Sequence, residues 1–285
     1  MRKGLVSFLL VSTLLLSIRL HAQQQDTVHV QDEEDLEDAD QPLRPSEWLR
    51  GYLRCLFVDT GHIWKNLFTI SSLKVATAAL PLYIAVRPAN KIIHSKFYNP
   101  ETHTNIKQPC KFLTEIAVAD AVVAIPFVAF NLYGFLSKGP LEFRRVQVFN
   151  AGLLSTWATK MLIKELRHED CYRPWHQDFS CTEKSPNGFP SGHAAMIAYL
   201  AAFWALEKGY KWGLPLGTYA LYAMAINVVA NNHYISQVFA GAALGVFFAV
   251  AAHNTFQQTI IKENLTIGFG TDSKHKPAFS LAYEF

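Results

Sequence analysis

Apolar residues recur at helical spacing through most of this chain, and six stretches carry the pattern clearly: Ser72–Val86, Leu113–Leu136, Val146–Ile163, Ala194–Leu206, Leu214–Ala230 and Val238–Ala252. Most fall short of the roughly 20 residues that a perpendicular membrane span needs. Small residues punctuate them, as in Ala240-Gly241-Ala242-Ala243-Leu244-Gly245, where missing bulk lets two helices approach closely. Ahead of the six, Trp48 to Phe68 interleaves Trp48, Leu53, Phe57 and Trp64 with Arg50, Arg54 and Lys65. That mixture is too polar to span and predicts an interfacial amphipathic helix or a core helix. At the far end, Leu265–Gly270 and Ala278–Phe285 alternate like two short strands around a turn region at 274–277, a hairpin too small to close a barrel. The expected fold class is all-α: a six-helix bundle over residues 71–260, an amphipathic helical segment at 46–70 before it, and a short C-terminal β-hairpin within 261–285.

The first 45 residues read differently. Arg2 and Lys3 precede an apolar run from Leu5 to Ile18 and a plausible cleavage site at Leu20-His21-Ala22, so 1–22 is a signal peptide or an N-terminal anchor. Residues 23–45 follow as an acidic disordered linker, with a run of like charge from Asp32 to Asp40 and little to bury. Composition agrees with a membrane-associated or exported chain: half of the 285 residues are apolar and 17% are charged. The expected location is a bacterial cell envelope, in its membrane or periplasm. A net charge of +3, from scattered basic residues, argues against nucleic acid as a partner. Protein partners are not legible in the sequence.

Chemistry concentrates at Pro190-Ser191-Gly192-His193, which opens an apolar helix, and at His233-Tyr234 forty residues later. A Ser-Gly pair at a helix N-terminus offers unpaired N–H groups and a hydroxyl, and the helix dipole favours an anion there. Histidine beside such a site suggests proton transfer to or from a bound phosphate. Arg173-Pro174 upstream adds a planar donor fork suited to phosphate oxygens. The plainer reading of Ser191-Gly192-His193 alone is a helix cap.

Together these residues resemble the three signature blocks of the type 2 phosphatidic acid phosphatases, whose site vanadium haloperoxidases share. The matching stretches are Lys164 with Arg173-Pro174, then Pro190-Ser191-Gly192-His193, then His233-Tyr234 followed by Ala240-Gly241, over roughly residues 112 to 252. The resemblance implies a helical bundle of that type and hydrolysis of a phosphomonoester or pyrophosphate, most readily of a lipid at a membrane. It makes His233 the nucleophile that forms a phosphohistidine and His193 the general acid. Lys164, Arg173, Ser191 and Gly192 become the phosphate cradle. That chemistry needs no metal or other cofactor.

The chain departs from the family pattern at three places. Asn227 stands where the third block has arginine, Ile226 where it has serine, and Gln237 where an aspartate follows the nucleophile by four residues. In the first block the lysine position seven residues before Arg173 is Leu166, and Lys164 lies two residues earlier. A carboxylate beside histidine fixes the tautomer and stabilises the imidazolium, and Gln237 keeps only the orienting part of that role. Losing the arginine removes a clamp on phosphoryl charge, unless Arg144, Arg145 or Arg167 reaches the site. The alternative function is therefore a non-catalytic phospholipid-binding relative that lost activity through Asn227 and Gln237. Cys171 and Cys181 flank the loop between the first two blocks, where a disulfide would stiffen the segment carrying Arg173.

Overall fold

The computed structural model describes residues 45–99, 104–105, 121–137, 139–165, 172–174, 188–271 and 277–283. The leader, the acidic linker, Arg167, Cys110, Cys171 and Cys181 lie outside these residues, and Cys55 is exposed and unbridged. Eight helices appear among the described residues: α1 (Pro45–Asn66), α2 (Ile70–Val86), α3 (Ala89–Phe97), α4 (Ala121–Leu136), α5 (Pro140–Lys164), α6 (Gly192–Lys208), α7 (Tyr210–Val229) and α8 (Ile235–Asn264). A two-residue ladder pairs β1 (Tyr98–Asn99) with β2 (Thr104–Asn105). The C-terminal hairpin pairs β3 (Leu265–Thr271) with β4 (Pro277–Tyr283), in a register that sets Leu265 opposite Tyr283.

The described residues of all six apolar stretches are helical, those of Leu113–Leu136 from Ala121 on, and most of the Trp48–Phe68 segment is the amphipathic α1. Its buried side, with Tyr52, Ile63 and Leu67, packs on α5 and α8, while Phe57 and Phe68 stay exposed. The structure adds α3, a short helix in the stretch rich in Lys and Arg. Between α1 and α2 the axis bends by 63°. The freed backbone there is satisfied by polar side chains: the Ser72 and Thr69 hydroxyls donate to the Asn66 carbonyl, and Asn66 Nδ2 donates to Thr255 on α8.

The core lies where α5, α6 and α8 meet, with α4 closing one side. Phe130 of α4 stacks on Trp204 of α6, ring centroids 4.1 Å apart, and Phe149 of α5 fills the space beneath. Tyr199 is fully buried and its hydroxyl donates to the Phe149 carbonyl at 2.9 Å, which removes the cost of an unpaired polar group. Gly209, at φ +75°, ends α6 and starts α7 in a left-handed conformation that costs other residues more.

The closest helix crossing is that of α6 with α8. A Cβ on Gly241 would fall 2.3 Å from the Ser191 carbonyl oxygen, and one on Gly245 would fall 2.1 Å from that of Ala195. Backbone is thus packed against backbone, and a methyl has nowhere to go. Gly245→Ala is expected to destabilise the protein by about 1–3 kcal/mol through overpacking. Gly217→Ala, on the open side of α7 with nothing within 4 Å of the new methyl, should hold or raise stability. Unfolding midpoints of the two variants in one detergent check the contrast.

Candidate active site

The site forms where the N-termini of α6 and α8 meet the C-terminal end of α5. Ser191 caps α6: its backbone is extended, and its hydroxyl accepts from Ala194 N–H at 3.5 Å. Gly192 and His193 occupy the first helical positions, where N–H groups have no partner within the helix. The cap does not compete with anion binding, because it engages a different N–H. Ser191 N–H donates to the Gln237 carbonyl at 3.0 Å, so the α6 N-terminus is tied to the first turn of α8.

A tight turn carries His233 from α7 into α8. The N–H groups of Asn232 and His233 both donate to the Asn227 carbonyl, at 3.0 and 3.2 Å, and Asn231 adopts a positive φ of 58°. Asn90 of α3 then caps α8: its Oδ1 accepts from Ser236 N–H at 3.1 Å and its Nδ2 donates to the Ser236 hydroxyl at 2.8 Å. His233 ends up buried. Its Nδ1 faces two carbonyl oxygens, Gly188 O at 2.9 Å and Gln237 Oε1 at 3.3 Å. Two acceptors require a donor between them, so the proton sits on Nδ1 and the lone pair on Nε2. Burial, with Arg173 and His193 adding positive charge, pushes the ring's pKa down to about 3, against the opposing pull of the Gln237 and Gly188 bonds. The histidine is therefore neutral across ordinary pH.

Gln237 is buried and its amide orientation is fixed from both ends. Nε2 donates to the Tyr172 carbonyl at 2.6 Å, and Oε1 accepts from Tyr234 N–H at 3.1 Å besides facing His233. Arg173 is half-buried next to that contact and acts electrostatically on both His233 and Lys160.

Sequence spacing pointed to Lys164 and missed Lys160, one helical turn earlier on α5. A Cβ on Gly192 would lie 3.3 Å from Lys160 Cε and 3.9 Å from its Nζ, so the buried ammonium stands beside the α6 N-terminus. Burial first, then the neighbouring charges of Lys164 and Arg173, lower Lys160 to about 8. Lys164 is half-buried and adds positive potential from the next turn. A lysine inside the run Thr159-Lys160-Met161-Leu162-Ile163 is the signal that could have marked it.

Arg144 and Arg145 do not supply the missing arginine. Both lie near the start of α5, about 22 Å along the helix from Lys160 at 1.5 Å per residue. Arg144 makes a bidentate pair with the buried Asp59, both bonds at 2.6 Å, and Arg145 pairs with Glu142 and Glu207. Asn227 itself is buried on α7, where its Nδ2 donates to the Ala223 carbonyl at 2.9 Å. Thus His193, His233, Arg173, Ser191, Gly192 and Gln237 converge, and Lys160 joins them.

Residues 147–261 match the family model of the PAP2 superfamily, and this stretch of the chain is similar to that superfamily. Among solved structures, the chain is similar to a transmembrane PAP2-type phosphatidylglycerolphosphate phosphatase from Bacillus subtilis, with 20% identity and a TM-score of 0.45. That match covers 67% of this chain and 98% of the other. No curated protein matches by sequence.

The depressed pKa of His233 has a consequence for stability. The unfolded chain binds a proton at its ordinary value of 6.5, whereas the folded one resists it down to about 3. Protons are therefore taken up on unfolding between these values. The stability is complete above pH 6.5 and declines as pH falls toward 3. His233→Gln should flatten that acid dependence, as read from unfolding free energy against pH.

Proposed function

We propose that this protein is a phosphatase that hydrolyses a phosphomonoester or pyrophosphate, most readily of a lipid at a membrane, through a phosphohistidine intermediate. The observation that carries this reading is His233 Nδ1 between two carbonyl oxygens, which leaves an unprotonated Nε2 on a ring that feels the charges of Arg173 and His193. A neutral imidazole with its lone pair presented beside an anion cradle is a nucleophile at neutral pH.

Nε2 of His233 attacks phosphorus while the bond to the leaving oxygen breaks, and His193 gives that oxygen its proton. Water then attacks the phosphohistidine, with His193 taking back a proton, and releases inorganic phosphate. Charge on the phosphoryl oxygens is met by Arg173, Lys160, the Ser191 hydroxyl and the N–H groups of Gly192 and the α6 first turn. Lys164 adds to the same field. In this account the two lysines of α5 carry part of what an arginine at 227 supplies elsewhere in the family, and Gln237 orients the nucleophile.

A lipid substrate is favoured by the outside of the bundle. Phe57, Phe68, Ile70, Ile84 and Leu214 are large, apolar and exposed, side chains that lipid would cover more favourably than water. The stretch Ile235–Ile260 is long and apolar enough to cross a membrane, with half of it buried inside the bundle, and the bent α1–α2 pair passes the same test taken together. We read the protein as membrane-associated, at a bacterial cell envelope, with the α6 N-terminus open to lipid phosphates.

The second reading, a phospholipid-binding relative without turnover, draws on Asn227 and Gln237. Phosphate release by the full chain in detergent, across phosphatidate-type, polyprenyl pyrophosphate and lipid A substrates, separates the two. Turnover is expected, with complete loss in His233→Ala and a drop of roughly 10²–10³ in kcat for Lys160→Met. Lipid-phosphate binding without release by the native protein would establish the binding reading instead.

A further inference from the structure

We propose that Gln237 is a positioning residue whose single carboxamide holds the Arg173 segment and His233 together as one unit, an inference that rests on the phosphoryl-transfer reading above. Its oxygen accepts from Tyr234 N–H at 3.1 Å and faces His233 Nδ1 at 3.3 Å. Its nitrogen donates to the Tyr172 carbonyl at 2.6 Å, one residue from the guanidinium that clamps the phosphate. Its backbone carbonyl accepts from Ser191 N–H at 3.0 Å. One buried residue thereby touches three parts of the site, at positions 172, 191 and 233.

Only an amide of this length makes these contacts. Aspartate is one methylene shorter and has no donor for the Tyr172 carbonyl. Glutamate has the length but sets an oxygen against that carbonyl, where two acceptors repel. Orientation of the ring does not depend on Gln237 alone, because the Gly188 carbonyl is closer, at 2.9 Å. What depends on Gln237 alone among these contacts is the link from the histidine to the arginine segment. The replacement of a carboxylate at this position thus gives up a charge next to the histidine and gains a second tether.

The test is inorganic phosphate binding to the full chain in detergent, measured by calorimetry, together with kcat and KM for whichever lipid phosphate the native protein turns over. Gln237→Met, close in length and without polar atoms, should weaken phosphate binding about tenfold and raise KM more than it lowers kcat. Gln237→Glu should weaken binding at least as much, even though it returns a carboxylate to the histidine. In the double variant with Arg173→Ala, the Met substitution should add almost nothing to the loss from Arg173→Ala, since both act through one clamp. Unchanged phosphate binding in Gln237→Met or Gln237→Glu, or fully additive losses, would overturn the proposal. If the native protein binds no phosphate, the phosphoryl-transfer reading itself fails. The tether is then judged by nitrogen-edited NMR of the His233 Nδ1–H signal: it shifts in Gln237→Met if the amide holds the ring, and an unmoved signal refutes the tether.

Discussion

Because Gly241 and Gly245 carry no side chains, α8 lies against the backbone of α6, and this contact sets the distance between the two chemical halves of the site. The first turn of α8 brings Gln237 and the histidine that precedes it. The first turn of α6 brings the cap, the helix N-terminus and His193. Were the helices at an ordinary separation of 8–10 Å, side chains would fill the gap between these turns. The Ser191-to-Gln237 backbone bond would then have no reason to exist. Close approach of main chain is thus the condition under which residues 40 positions apart come together at one place.

The two ends of the bundle treat charge in opposite ways. At the far end, Arg144 is neutralised by Asp59, while Arg145 and Lys208 share Glu142, and Glu207 also meets His253. Those pairs hold α1, α5, α6 and α8 in register and leave little field outside. At the site end, Lys160, Lys164 and Arg173 lie near one another, and the charges of the last two, after burial, lower the pKa of the first. Like charges gathered in a half-buried place are costly, and an anion is what relieves the cost. This asymmetry along one helix points to the same end of the bundle as the two histidines.

Much of this was legible in the sequence. Hydrophobic periodicity marked the helical bundle, and resemblance to the signature blocks of a family singled out His193, His233, Arg173, Ser191 and Gly192, which the fold brings together. Lys160 was hidden because choosing between it and Lys164 requires knowing how α5 is rotated against α6. Gly188 was hidden for another reason: it contributes a carbonyl, which every residue possesses and no side-chain pattern marks. The second arm of Gln237 depends on where the Tyr172 carbonyl lies, a fact of tertiary folding. Helix α3 escaped because nine residues with several charges, following Pro88, lack the length that makes periodicity persuasive.

The capping of α8 by Asn90 crosses 146 positions of sequence, from a helix outside the stretch that matches the family model. The stack of Phe130 on Trp204 crosses the same border. The stretch that matches the family model is therefore tied to residues outside it. Cut at its sequence boundaries, it would uncover an indole and leave the helix bearing the histidine to fray at its start. The helix that carries the histidine thus takes its footing from residues that precede it by more than a hundred positions.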